Sequence, residues 1–167
     1  GIGLIFIFWP LNWLVPNWLT NSDSPFLISH FGWVGFFPLW LGYCLTVSAL
    51  TCLRKGNSIL TRNFFAYCLL FVISSPSWWL FELINWRTQN WFYEGRSSVT
   101  NFQYAIFASI SFSTVIPAVF GTAEWVSTFE WTQRPLRGIR FTIRPRNTIL
   151  MFILGWSMLG LLIYRPR

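Results

Sequence analysis

Residues Phe102–Val126 read FQYAIFASISFSTVIPAVFGTAEWV, with Glu124 the one charged side chain in the run. A helix crossing the hydrocarbon core of a bilayer needs about 20 mostly apolar residues. This stretch meets that length, and its reading decides the fold class. Three further runs meet the criterion, from about Trp33 to Leu53, from Phe64 to Ile84 and from Thr148 to Tyr164. A shorter one, Ile2 to Val15, contains Pro10 and reads as a fifth helix. The expectation is an all-α, polytopic transmembrane helical bundle of about five helices, forming one domain over residues 1–167.

Composition agrees. Hydrophobic residues make up 54 % of the 167 and charged ones only 10 %, against about 25 % charged in ordinary soluble domains. Such a chain holds more apolar surface than a water-soluble fold of its size can bury. The net charge of +7 sits in short loops between apolar runs. It therefore points to anionic lipid headgroups and not to nucleic acid.

The placement of Lys and Arg gives an orientation, because cytoplasmic loops are enriched in both. Arg54, Lys55 and Arg62 follow the second helix, and Arg134, Arg137, Arg140, Arg144 and Arg146 follow the fourth. These loops share a side, so the N-terminus is predicted cytoplasmic. Trp9, Trp13, Trp18, Trp33, Trp86, Trp91 and Tyr93 gather on the opposite face, where Trp and Tyr favour the boundary with water. The chain opens directly into Ile2–Phe8 and closes on Arg165-Pro166-Arg167, which suggests a fragment of a longer protein.

Within the opening stretch, Ala105, Ser109, Ser113, Pro117 and Gly121 recur every four residues. A stripe of small side chains lets helices approach closely in lipid. It packs either within the monomer or against another subunit, a flat pigment or a quinone. Pro117, and Pro76 within Ser74-Ser75-Pro76-Ser77, are expected to kink their helices. Nearby hydroxyls would re-satisfy the freed carbonyls. Cys44, Cys52 and Cys68 lie in apolar segments without C-x-x-C spacing and read as small packing residues.

The most informative polar run is Ser77 to Tyr93. Trp78, Glu82, Asn85 and Gln89 share one helical face at spacings of four, three and four, with Trp79, Arg87 and Trp91 close by. A carboxylate near hydrocarbon needs a partner or a cavity, and Arg87 and Arg96 are the nearest cations in sequence. Two readings stand. One is a polar knot pinning the end of the helix. The other is a Trp-walled site for a headgroup, a quinone or a carotenoid ring. Glu124 is the second buried acid. It is expected near the opposite membrane face from Glu82, so that the two form no catalytic dyad, and to pair with an Arg of the loop that follows it.

That loop, with its five Arg and no Lys, suits anionic lipid or docking onto a partner subunit. His30 is the sole histidine, which excludes a bis-His haem within the chain but leaves a single ligand for a chlorophyll-type magnesium. No nucleotide-binding loop, zinc-protease or serine-hydrolase motif occurs.

The run Trp78-x-x-x-Glu82-x-x-Asn85 through Tyr93, together with Phe37-Pro38-Leu39-Trp40-Leu41-Gly42-Tyr43-Cys44-Leu45-Thr46, resembles uncharacterised polytopic membrane proteins of bacteria, including some from the Chloroflexi. The resemblance covers about half the chain. It implies a multi-pass protein of a bacterial cytoplasmic membrane and brings no activity with it. The small multi-helix format is similar to that of carotenoid-modifying enzymes such as lycopene cyclases. Their paired acidic motif is missing, since no two acidic residues adjoin. The expected role is a non-catalytic subunit of a photosynthetic or respiratory complex. A lipid or isoprenoid enzyme using Glu82 and Asn85 comes second, and a small-molecule transporter third.

Overall fold

The computed structural model describes residues 1–19, 25–93, 96–134 and 145–165, and the side chains of these outside 11–34 and 98. Helix makes up 85 % of the structure and no strand occurs among the described residues, so the chain is an all-α bundle. The helices are α1 (Ile2–Leu19), α2 (Pro25–Lys55), α3 (Ile59–Arg62), α4 (Phe64–Thr88), α5 (Asn101–Phe112), α6 (Val115–Val126), α7 (Glu130–Gln133) and α8 (Pro145–Tyr164). Four segments are long and apolar enough to cross a membrane: Gly35–Lys55, Phe64–Thr88, Asn101–Val126 and Pro145–Tyr164. This is a membrane protein. Each of the four longer predicted spans overlaps one of these segments, and the fifth expected helix, Ile2 to Val15, lies in α1.

Two compact units form. The first comprises Gly1–Trp79 and Tyr93–Gln133, the second Leu80–Phe92 and Arg134–Arg167. The first unit is organised on α2. Cys44, Val47, Ser48 and Thr51 form its buried stripe, at the spacing of three and four that places residues on one helix face. Thr51 returns its hydroxyl to the Val47 carbonyl at 2.8 Å, so a buried polar group is satisfied without leaving its own helix.

The facing stripe on α6 is Pro117, Ala118 and Gly121. A Cβ on Gly121 would stand 3.1 Å from Val47 Cγ2. Glycine is there because the helices touch. Tyr43 and Thr122 hydroxyls meet at 2.7 Å along the same seam. Cys44 lies against the Thr114 carbonyl and Lys55 against Glu124, so α2 and α6 run in the same direction. Gly42 serves α1 in the same way, since a Cβ there would lie 2.8 Å from Leu4 Cβ.

The expected kinks divide. Around Pro117 the helix breaks: α5 ends at Phe112 and α6 begins at Val115. The break is held from outside by Ser74 of α4, which is buried. Its hydroxyl donates to the Phe112 carbonyl at 2.5 Å and accepts the Ile116 amide at 3.0 Å. An intact helix would have joined those two groups directly. Around Pro76, by contrast, α4 continues as one helix from Phe64 to Thr88. Ser77 donates to the Ile73 carbonyl at 2.8 Å there.

In the second unit, α8 carries no buried residue. A helix apolar all round is at home in lipid or against a partner, and not in water.

Candidate functional site: two polar knots and an aromatic cluster

The Ser77–Tyr93 run is divided by the structure. Its first part belongs to an aromatic cluster in the first unit. Phe112 is buried at its centre, with the rings of Trp78, Trp79 and Tyr93 at 5.9, 5.4 and 6.4 Å. Tyr104 closes the group, 6.0 Å from Trp79 and 6.2 Å from Tyr93. These separations are those of aromatic side chains packed on one another. The half-buried Trp79 indole N–H donates to Ser109 Oγ at 2.9 Å, so the small-residue stripe supplies its polar partner. Sequence reasoning singles out the two Trp and Ser109 but misses Phe112 and Tyr104. The available signal is Tyr104, Ala108 and Phe112 at helical spacing on the face beside the stripe.

The second part forms a polar knot in the second unit. Asn85 is buried. Its amide donates to the Trp91 carbonyl at 2.8 Å and accepts the Trp91 amide at 3.1 Å. One side chain thereby satisfies both backbone groups of a residue outside any helix, where no regular partner exists. The Trp91 indole N–H donates to Glu82 Oε1 at 3.0 Å. A chain reversal makes this geometry reachable. Helix α4 ends at Thr88, and Gln89 takes the left-handed conformation, φ 52°, that ends many helices. Its amide still reaches the Asn85 carbonyl at 2.7 Å.

Gln89 therefore sits past the helix end and off the face predicted for it, its side chain donating to the Trp86 carbonyl at 2.8 Å. Arg87 is exposed. Arg96, the other expected partner of Glu82, is engaged with the Val99 carbonyl, with Asn101 and with the Tyr104 ring 4.3 Å from its guanidinium carbon.

Glu124 forms the other knot. Both of its oxygens are occupied. Oε1 accepts Lys55 Nζ at 2.8 Å and the Arg62 guanidinium, and Oε2 accepts the Ile59 amide at 2.7 Å. The predicted pairing with an Arg of the following loop gives way to cations of the preceding basic loop. The reason is the short turn α3. A Ser58–Thr61 capping box folds the chain so that Arg62 and the Ile59 amide converge on one carboxylate. Arg54 is anchored beside them, donating to Thr128 Oγ1 at 2.8 Å and standing 4.1 Å over the Phe129 ring.

Family models, curated proteins and solved structures give no match to this chain.

The remaining expectations fall as follows. In the stripe, Pro117 and Gly121 are buried, Ser109 and Ser113 partly so, and Ala105 is exposed. The break at 113–114 leaves Ala105 and Ser109 on α5 and Pro117 and Gly121 on α6. Arg134 and Arg146 are exposed, whereas Arg137, Arg140 and Arg144 lie outside the described residues. The backbone of His30 is in α2, and its side chain lies outside the described ones. Cys44, Cys52 and Cys68 are free thiols. Among the described residues no group of three or more His, Cys, Asp or Glu is placed to hold a metal ion.

Proposed function

We propose that this protein is a non-catalytic structural subunit of a larger assembly in a bacterial cytoplasmic membrane. The observation that carries this reading is the use made of its polar groups. Asn85 is committed to the Trp91 backbone, Glu124 is held by three donors, and Ser74 is fixed in the break between α5 and α6. A catalytic acid or base must be able to reach a substrate proton, and these groups face their own chain. The apolar side chains, by contrast, face outward. Met151, Leu154, Trp156, Met158 and Leu161 of α8 are all exposed, a surface that suits neighbouring helices, lipid, or a pigment or quinone at a subunit boundary. In this reading the N-terminus is cytoplasmic, as the Lys and Arg distribution directs.

The test is to extract the protein from its native membrane in mild detergent, then record its migration on a native gel and its absorption spectrum. Co-migration in a large complex supports the subunit reading, and colour in that band identifies a carotenoid or chlorophyll-type pigment. A small, colourless particle overturns it.

One observation favours a second reading, that of a membrane enzyme on a lipid or isoprenoid. Glu82 is only half-buried, with an indole positioned on one of its oxygens. Glu82→Gln separates the two, because the amide keeps the acceptor and removes the carboxyl proton. An enzyme loses turnover with its fold intact, while a subunit assembles as before.

A further inference from the structure

The basic turn between α2 and α4 has more positive charge than the fold uses. Lys55 and Arg62 converge on a single carboxylate, Glu124, and Arg54 stands beside them on Thr128 and Phe129. That carboxyl is shielded, its side chain 9 % exposed, whereas Lys55 and Arg62 remain 38 % and 45 % exposed. What faces outward is therefore cationic. Both partners of Glu124 also keep donors in hand. Lys55 gives one of its three N–H groups to Glu124. Arg62 gives Nη1 to Glu124 and Asn57, which leaves the rest of its five-donor fork.

The position of this patch names its partner. It lies at the ends of three membrane-length segments, Gly35–Lys55, Phe64–Thr88 and Asn101–Val126, which is the level of lipid headgroups. Directly along the same helix ends stand Leu53, Phe64 and Phe65, 84 %, 70 % and 75 % exposed. Trp131, also exposed, follows on α7, as expected of Trp at a membrane boundary. A free phosphate would use the cations alone. A phospholipid uses the cations for its phosphodiester and the apolar side chains for its acyl chains.

We propose that Arg54, Lys55 and Arg62 form a binding site for the headgroup of an anionic phospholipid, organised in advance by Glu124, Thr128 and Phe129. Pre-ordering matters because long cationic side chains otherwise lose rotamer freedom on binding.

The test uses the full chain reconstituted in phosphatidylcholine vesicles doped with brominated phosphatidylglycerol or brominated phosphatidylcholine, read by quenching of its tryptophans. The wild-type protein prefers the anionic lipid. Lys55→Gln with Arg62→Gln reduces that preference by about fivefold for each cation removed, and Lys55→Arg with Arg62→Lys preserves it. Arg54→Gln, which leaves every bond to Glu124 in place, gives about a fivefold loss and serves where the double variant fails to fold. Equal quenching by both lipids in the wild type overturns the proposal. So does an unchanged preference in both neutral variants, or displacement of the anionic lipid by inorganic phosphate at matched concentration.

Discussion

Ser74 donates its hydroxyl to the carbonyl of Phe112, the oxygen that an unbroken helix would have given to the amide of Ile116. The same oxygen atom of Ser74 accepts that amide. A residue of α4 thus completes a hydrogen bond of a different helix and becomes part of its backbone geometry. Proline alone does not account for the break: Pro117 lacks an amide for the Ser113 carbonyl, yet the groups that Ser74 joins are one residue earlier.

The first prediction follows from that division of labour. Ser74→Ala leaves a buried carbonyl and amide without their bridge, at a cost of about 1–3 kcal/mol. Pro117→Ala keeps the bridge and costs less. Unfolding of both variants in the same detergent, followed by tryptophan fluorescence, ranks them. If Pro117→Ala is the more damaging, proline and not the hydroxyl maintains the break.

Gly121 supplies the second. With 3.1 Å between its notional Cβ and Val47 Cγ2, Gly121→Ala needs a small yielding of Val47. Gly121→Leu forces α2 and α6 apart, at about 1–3 kcal/mol. Adding Val47→Ala to Gly121→Ala recovers part of any loss. A double-mutant cycle on melting temperature checks this, and additive effects would show that the two side chains do not meet.

The Asn85 knot is the third. Asn85→Ala removes the donor and acceptor that hold Trp91, with an expected loss of about 1–3 kcal/mol. Asn85→Asp retains the acceptor for the Trp91 amide but sets a carboxylate against its carbonyl, and falls no closer to wild type than Asn85→Ala. Trp91→Phe, which removes the indole bond to Glu82 together with part of the ring but spares the Asn85 contacts to the Trp91 backbone, costs about 1 kcal/mol. Protease susceptibility of the 89–93 segment gives an independent readout, with Asn85→Ala cut faster than Trp91→Phe.

Glu124 gives the fourth. Glu124→Gln keeps an acceptor for the Ile59 amide and loses the charge shared by Lys55 and Arg62. Because both cations are partly solvated, the expected cost is modest, about 1–2 kcal/mol. High salt narrows the difference from wild type. A difference that persists undiminished in high salt would place the effect in packing.

The spans are legible in the sequence because hydrocarbon imposes a length and a composition that no local preference can imitate. Asn85 and Glu82 are legible as a pair for a related reason: polar side chains in such a run are costly without partners. What they bond to is not, since Trp91 reaches them only after the reversal at Gln89, a residue type without the usual left-handed preference. The partners of Glu124 escape a linear reading because proximity in sequence favours the following loop, whereas the four-residue turn α3 brings Arg62 and Ile59 to it. Likewise, the four-residue stripe from Ala105 to Gly121 assumes one continuous helix, whereas the structure divides it between α5 and α6 at Ser113 and Thr114.

The Glu124 knot also orders events in time. Sixty-two residues separate Arg62 from the acid that holds it, and chains emerge from their N-terminal end. Before α6 has been made, Lys55 and Arg62 lack the carboxylate that later holds them. Only when α6 arrives does one acid quench part of that charge. The join between the α2–α4 turn and α6 therefore closes only after every residue up to Glu124 has been made.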